Sequence, residues 1–365
     1  MSFRRTRAWP ASLLTLVVVA VGACGDDDDD DGGGASRAAE NQTVELLLSF
    51  PEGPAWIGLP MARENGYLRE EGITVETEGT DGSEFVVQQV IAGNAPYGMA
   101  AATSILIAAQ RDPSLRAVFC NTSRNLFGIA VPEGSDIQEV ADLEGKTLGI
   151  SEQGGGETPL VTAALLDAGL TPRQDVDIVP IGAAGPASRA AIEDGTVDAY
   201  GSSYSDIIAL QAAGLGLVDI TPDAYQGVPG DCLFAKEDAL SEPAERDAIV
   251  GLARAWSKGT LAAVSDPERA LDVACESYPE ECTDRGFIEA YMENRLGLVT
   301  PIGQEQGDTE IPYGTPQQES WQTALDLLVK TDQVQTPPAI ESIIGTEEVT
   351  SIIEEWSDYD PAEVS

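Results

Sequence analysis

The residues of this chain best suited to chemistry are carboxylates, hydroxyls and glycines gathered in short loops. Glu52 lies in the loop 49–56, Thr80 and Asp81 in 79–83, and Thr103 and Ser104 just after Ala101 and Ala102. Gly154, Gly155, Gly156, Glu157 and Thr158 stand together after a short apolar run. Glycine lets a backbone approach a bound molecule closely, and N–H groups at a helix start attract oxygen atoms. Ser83, Thr103, Ser104 and Thr158 can offer hydroxyls to a ligand or serve only as helix caps. Trp56 can stack on a planar ligand, and so can Tyr200 and Tyr204, with core packing as the alternative. No Gly-Lys-Ser/Thr follows the three glycines, so they do not form a nucleotide loop. Glu152 and Glu157 resemble a hydrolase pair in type only. Their place on one loop gives no evidence of opposed geometry across a substrate.

The composition narrows the chemistry further. The 365 residues contain no histidine, which removes imidazole nucleophile dyads, imidazole metal ligands and imidazole proton shuttles. Only four lysines occur (Lys146, Lys236, Lys258 and Lys330), so lysine-based covalent catalysis has few candidates. The net charge of −42 argues against nucleic acid, whose phosphates need clustered Lys and Arg. No enzyme activity, cofactor or metal is expected from these residues. The length fits two domains or one two-lobed domain, and 42% hydrophobic residues can build real cores.

The N-terminus carries an address. Arg4, Arg5 and Arg7 precede an apolar stretch from Ala11 to Val21, which is too short to span a bilayer comfortably. Val21-Gly22-Ala23-Cys24 resembles a bacterial lipobox, in which cleavage precedes a lipid-modified cysteine. Loss of residues 1–23 removes three arginines and moves the charge from −42 to −45. Residues 24–42 follow as a tether, with six aspartates from Asp26 to Asp31 and then three glycines. The expected location is extracytoplasmic, anchored by lipid on Cys24 to the outer face of the cytoplasmic membrane. Four cysteines remain beyond Cys24, and an even number in an exported chain favours disulfides. Cys275 and Cys282 flank a six-residue loop, which leaves Cys120 for Cys232.

These loops need a scaffold, and the chain supplies one by alternation. Short apolar runs at 44–48, 73–78, 115–120, 128–131, 147–150, 176–179, 197–200 and 217–220 read as strands, with helical stretches between most of them. Ser83, Thr103 and Thr158 read as N-caps, and Gly185-Pro186 opens a further helix. Beyond Ser241 the pattern is helical, over 242–265, 266–277, 284–296, 316–330 and 349–356. Trp256, Trp321 and Trp356 are expected to pack there. The class is α/β with parallel sheets and a helical C-terminal part. Two β/α sets joined by crossing strands make a hinged clamshell. Lobe I takes 43–125 plus about 236–365, and lobe II takes 126–235.

The motifs in order resemble the solute-binding proteins of ABC importers of the nitrate/sulfonate/taurine and thiamine-precursor type. They begin with Ala62-Arg63-Glu64-Asn65-Gly66-Tyr67-Leu68 and Glu71-Gly72-Ile73-Thr74-Val75-Glu76. Gln88-Gln89-Val90-Ile91-Ala92-Gly93 with Tyr97-Gly98-Met99-Ala100 comes next. Asp142-Leu143-Glu144-Gly145-Lys146-Thr147-Leu148-Gly149-Ile150 is the most characteristic piece. Leu165-Leu166-Asp167-Ala168-Gly169-Leu170 and Gly195-Thr196-Val197-Asp198-Ala199 close the set. The likeness covers about 44–225 well and the helical third loosely. It implies a type II periplasmic-binding-protein-like clamshell, monomeric, that hands a small molecule to a permease driven by a cytoplasmic ATPase. The same fold family includes thiamine-pyrimidine synthases. Those consume a histidine and carry a cysteine-rich motif, and this chain has neither.

Ligands of open α/β sheets bind beyond the carboxyl ends of the strands, which in two lobes face each other. The loops at those ends carry Glu52, Asp81, Glu84, Glu152 and Glu157, and Arg124 is the one arginine in view. So much negative charge suits an aminosulfonate or a thiamine-pyrimidine-like heterocycle better than bare nitrate. A ligand-binding sensor or scaffold lipoprotein, uncoupled from transport, is the alternative.

Overall fold

The computed structural model describes residues 42–344. The signal segment, Cys24, most of the tether, the helix expected at 349–356 and Trp356 lie outside the described residues. Ten strands build two five-stranded sheets. In the first sheet, β1 (Gln42–Leu48) pairs in parallel with β2 (Ile73–Gly79) and with β3 (Tyr97–Ala101). The edge strand β4 (Leu115–Cys120) joins this sheet through the segment Asp231–Lys236. The second sheet contains β5 (Phe127–Pro132), β6 (Thr147–Ile150), β7 (Asp177–Pro180), β8 (Ala199–Ser203) and β9 (Leu217–Asp219). The strand β10 (Asp231–Lys236) returns to the first sheet and lies antiparallel between β3 and β4.

The two sheets repeat one plan. Their orders are β2-β1-β3-β10-β4 and β7-β6-β8-β5-β9. Each contains a single antiparallel strand, and that strand is the first one after the chain crosses from the other sheet. The two-lobed α/β clamshell expected from the sequence is therefore present. One boundary moves. A lobe II ending at 235 would cut β10, which lies wholly in the first sheet. The return crossing precedes Asp231.

The crossing segments 121–126 and 220–230 run side by side. The Asn121 amide donates to Asp231 O at 2.8 Å, and the Gly230 amide to Thr122 O at 3.2 Å. Cys120 faces Cys232 across the β4–β10 ladder, and the two form a disulfide. A second disulfide joins Cys275 to Cys282. Both pairings agree with the sequence expectation.

The helical part begins with Pro243–Ser265, where Pro243 fits the first turn because no intrahelical N–H is needed there. Its buried face carries Ile249, Leu252, Ala253, Trp256, Thr260 and Ala263, spaced for one helical stripe. Helices Pro267–Ser277, Arg285–Val299, Gln318–Lys330 and Ile340–Ile344 follow. Trp256 and Trp321 are fully buried, as expected. Gln318–Lys330 is not confined to lobe I. It packs on Ala102–Ala109 of the first lobe and Thr158–Asp167 of the second. Among the described residues no helix is long and apolar enough to cross a membrane.

Candidate functional site

A cavity of about 640 Å³ lies where the loops of the two sheets meet. That volume suits a small organic molecule. The first lobe contributes Glu52, Thr80, Asp81 and Ser83, and the second contributes Phe127, Ser151, Glu152, Gly156, Glu157 and Asp206. The helix Arg285–Val299 adds Phe287, Ile288, Tyr291 and Arg295 to the wall. The lobes touch beside it, where the Glu84 amide donates to Gly154 O at 3.3 Å. A Cβ placed on Gly156 would sit 2.6 Å from Phe127 Cζ and 3.1 Å from Ser83 Oγ. Only a residue without a side chain fits this seam.

Each carboxylate at the cavity has its own surroundings. Glu52 is already engaged. Arg63 pairs with it, Thr77 Oγ1 donates at 2.5 Å, and Tyr278 OH donates at 2.5 Å. Burial alone would raise its pKa, but Arg63, Thr77 and Tyr278 together hold it below the ordinary carboxylate value. Its charge is therefore answered before any ligand arrives. Glu157 is 2% exposed and accepts from Ser151 Oγ and from the Glu152 amide at 3.3 Å. Burial raises its pKa despite those donors. Glu152 is pushed from an ordinary 4.5 to about 7, first by burial and then by Glu157, Asp81 and Asp206. Asp206 accepts from Ser202 Oγ at 2.6 Å, Ser203 Oγ at 2.8 Å and the Ala184 amide at 2.8 Å. No group of three or more Cys, Asp or Glu among the described residues is arranged to hold a metal ion.

Two further buried charged residues, Asp231 and Arg295, line the cavity. Asp231 is 1% exposed and accepts from Ser49 Oγ at 3.5 Å, while its Oδ1 has no partner. Burial pushes its pKa up to about 6, against the pull of Arg295 and Ser49. Arg295 is 2% exposed, and its Nε and Nη2 have no hydrogen-bond partner. Burial works against its charge, while Tyr291 and Asp231 favour it.

Five residues expected at the site line the cavity: Glu52, Thr80, Ser83, Gly156 and Glu157. Gly154 stands at the interlobe contact beside it, and Gly155 is packed against the Glu157 carboxylate. Others are not brought to the cavity. Trp56 is 0% exposed, stacked on Phe50 and edge-on to Trp256, with Nε1 donating to Pro51 O at 3.3 Å. It is core because the short helix Pro54–Trp56 turns it onto the helix Pro243–Ser265. Tyr200 is buried too, with its hydroxyl donating to Gly182 O at 2.9 Å. Tyr204 donates to Asp219 Oδ2 at 3.0 Å, away from the cavity lining. Thr103, Ser104 and Thr158 do not line it either.

The expected caps also differ. Ser83, Thr103 and Thr158 lie one or two residues inside their helices, which start after Gly82, Ala101 and Glu157. Ser83 Oγ instead accepts from the Ala101 amide at 3.0 Å. Thr103 Oγ1 and Thr158 Oγ1 are buried without partners. The arginine of the site is Arg295 rather than Arg124. A signal for it exists. Ile288, Tyr291, Arg295 and Val299 share one buried helical face, so Arg295 interrupts an otherwise apolar stripe.

The family model described as NMT1/THI5 like matches residues 54–270, more than half of the chain. The chain belongs to the NMT1/THI5 like family. This NMT1/THI5-like chain is 24% identical over 310 residues to a formylaminopyrimidine-binding protein of Halalkalibacterium halodurans, covering 84% of this chain and 90% of that protein. In fold it is similar to the periplasmic aliphatic sulphonate binding protein of Escherichia coli, with a TM-score of 0.58 and 19% identity, covering 83% of this chain and 92% of the other. It is also similar to the periplasmic nitrate-binding protein of Synechocystis, with a TM-score of 0.60 and 13% identity, covering 88% and 90%. A desulfurization enzyme, DszB, shares the fold at a TM-score of 0.55 and 18% identity, covering 86% and 99%. The fold is thus that of periplasmic solute-binding proteins, with at least one enzyme built on the same frame.

Proposed function

We propose that this protein is the solute-binding component of an ABC importer and captures a small nitrogen-bearing organic molecule between its lobes. The observation that carries this reading is the charge of the cavity. Glu152, Glu157, Asp81 and Asp206 face it without an ion pair of their own, while Glu52 is neutralised by Arg63. Hydrogen-bond donors and cationic nitrogens are stabilised there, and a bare anion such as nitrate is repelled. An aminopyrimidine offers a ring nitrogen and an exocyclic amine, and the sequence relative from Halalkalibacterium is named for binding such a molecule. An aminosulfonate is the second candidate, because a buried guanidinium also lines the cavity.

Closure on the ligand would create the surface that a membrane permease reads, with a cytoplasmic ATPase driving release. The lipobox at Cys24 supports an anchored, extracytoplasmic lipoprotein. Two acyl chains or more on that cysteine would hold it to the membrane. No catalytic step is assigned. Glu152 and Glu157 lie on one loop, and the chain has no histidine to act as a proton shuttle.

A thermal-shift screen tests the reading, using aminopyrimidines, formylaminopyrimidine, taurine, alkyl sulfonates, nitrate and riboflavin at moderate and high salt. A ligand that binds only the folded state raises Tm by mass action. The expected result is a rise with an aminopyrimidine or an aminosulfonate and none with nitrate. A rise with nitrate alone overturns the reading of the cavity.

A further inference from the structure

Arg295 is the least satisfied charge of the cavity. Its side chain is 2% exposed, yet Nε and Nη2 have no acceptor. A buried guanidinium normally meets oxygen atoms on most of its N–H groups, because leaving them bare forfeits hydration without replacing it. Asp231 and Tyr291 favour its charge, and neither accepts a hydrogen bond from its Nε or Nη2. The planar fork of N–H groups suits a carbonyl, carboxylate or sulfonate oxygen. Glu152, Glu157, Asp81 and Asp206 line the same cavity. Glu152, Glu157 and Asp81 lie on loops at the seam between the lobes, while Arg295 comes from the helix Arg285–Val299. One cavity therefore presents both acceptor carboxylates and an unsatisfied donor fork.

Building on the solute-binding reading, we propose that Arg295 determines specificity and that the ligand is two-ended. An acceptor oxygen meets the Arg295 fork, and a donor or cationic nitrogen meets the group of Glu152, Glu157 and Asp206. Asp231 lines the cavity as well. Its carboxylate is buried like the guanidinium and favours the charge there. Molecules that carry only one of the two ends fill half of the site. Both favoured ligand classes meet the requirement: a formylated aminopyrimidine through its carbonyl and taurine through its sulfonate.

The test uses two matched pairs and calorimetry on the purified full chain. One pair is formylaminopyrimidine and the same amine without the formyl group. The other is taurine and ethylamine. Each pair shares its nitrogen end and differs in the acceptor end. In the unaltered chain the acceptor-bearing member of at least one pair binds about tenfold tighter or more, as expected for a charge-assisted hydrogen bond. In Arg295→Gln that preference collapses to within about threefold, while affinity for the partner without the acceptor stays within about threefold. Arg295→Lys restores part of the preference for taurine, since it keeps the charge but loses the fork. The preference in the unaltered chain does not depend on any variant folding, and melting curves establish that the variants are folded. Equal binding within both pairs, or a preference that survives Arg295→Gln, overturns the proposal and leaves the solute-binding reading intact. Failure of all four molecules to bind at 1 mM overturns both.

Discussion

The amide of Glu84 and the carbonyl of Gly154 lie 3.3 Å apart, and the bond between them joins the first lobe to the second beside the cavity. It is a backbone contact, so no side chain has to be matched to make it. It needs only that the two loops approach closely. Gly156 lies two residues further on and fixes how close they come, because a Cβ there would press on Phe127 and Ser83. Gly156→Val is expected to weaken ligand binding at least about tenfold, which is about 1.4 kcal/mol. Overpacking would cost about 1–3 kcal/mol of stability at most. Titration calorimetry with the ligand from the thermal screen measures the first effect, and urea denaturation the second. Unchanged affinity would mean that the seam does not govern closure.

Glu152 predicts a pH dependence of two opposite kinds. Its carboxyl is pushed from 4.5 to about 7 in the folded chain, so between those values the folded state holds a proton that the unfolded state has lost. This contribution to stability is therefore present below about pH 4.5 and is lost as pH rises through about 7. Binding of a cationic nitrogen runs the other way, since the carboxylate must be charged to attract it. Affinity should rise between pH 5.5 and 7.5, and Glu152→Gln should flatten that rise. Calorimetry across this range checks both. A cationic ligand whose affinity is constant with pH would remove Glu152 from the binding machinery.

The two disulfides should contribute unequally. Cys120–Cys232 spans 112 residues and Cys275–Cys282 only 7. In the chain-entropy account a longer loop is constrained more, by about 2 kcal/mol for this difference in length. Loss of the first as a Cys120→Ala, Cys232→Ala double variant should lower stability by about 2–5 kcal/mol, and loss of the second by less. Denaturation of both double variants against the unaltered chain gives the comparison.

Trp56 should behave as core. Trp56→Ala is expected to cost about 3–5 kcal/mol, because it empties the contact with Phe50 and Trp256. Where the variant still folds, its ligand affinity should stay within about threefold of the unaltered chain. A large loss of affinity in a stable variant would return Trp56 to the cavity.

Much of the scaffold was legible, and particular residues explain why. The strands Leu115–Cys120 and Thr147–Ile150 match their apolar runs at both ends. The helix Pro243–Ser265 begins one residue after the expected start, because Pro243 marks the first turn so clearly. The strand Tyr97–Ala101 is less visible, since Gly98 and three small or flexible neighbours carry little β preference. It emerged from the family resemblance rather than from periodicity. The site was legible only where a loop supplies it locally, as at Glu52, Thr80, Ser83, Gly156 and Glu157. Trp56 was misplaced because its partner, Trp256, lies 200 residues away and no local pattern announces the contact. Arg295 was missed for the same reason. Its cavity neighbours Ser49 and Asp231 come from other parts of the chain, and only its place in an apolar stripe marked it out.

One apolar cluster includes Leu106 and Ile105 from the first lobe with Leu160, Val161 and Ala164 from the second, and the helix Gln318–Lys330 lies against both. A movement that separated these residues would expose their apolar surface to water. The exchange of apolar surface with water carries a large heat capacity, so the balance between open and shut depends on temperature as well as on ligand. Cooling weakens the apolar attraction and favours opening, while moderate warming favours closure. Ligand affinity measured across temperature is therefore expected to show a marked heat-capacity change if this seam opens and shuts with binding.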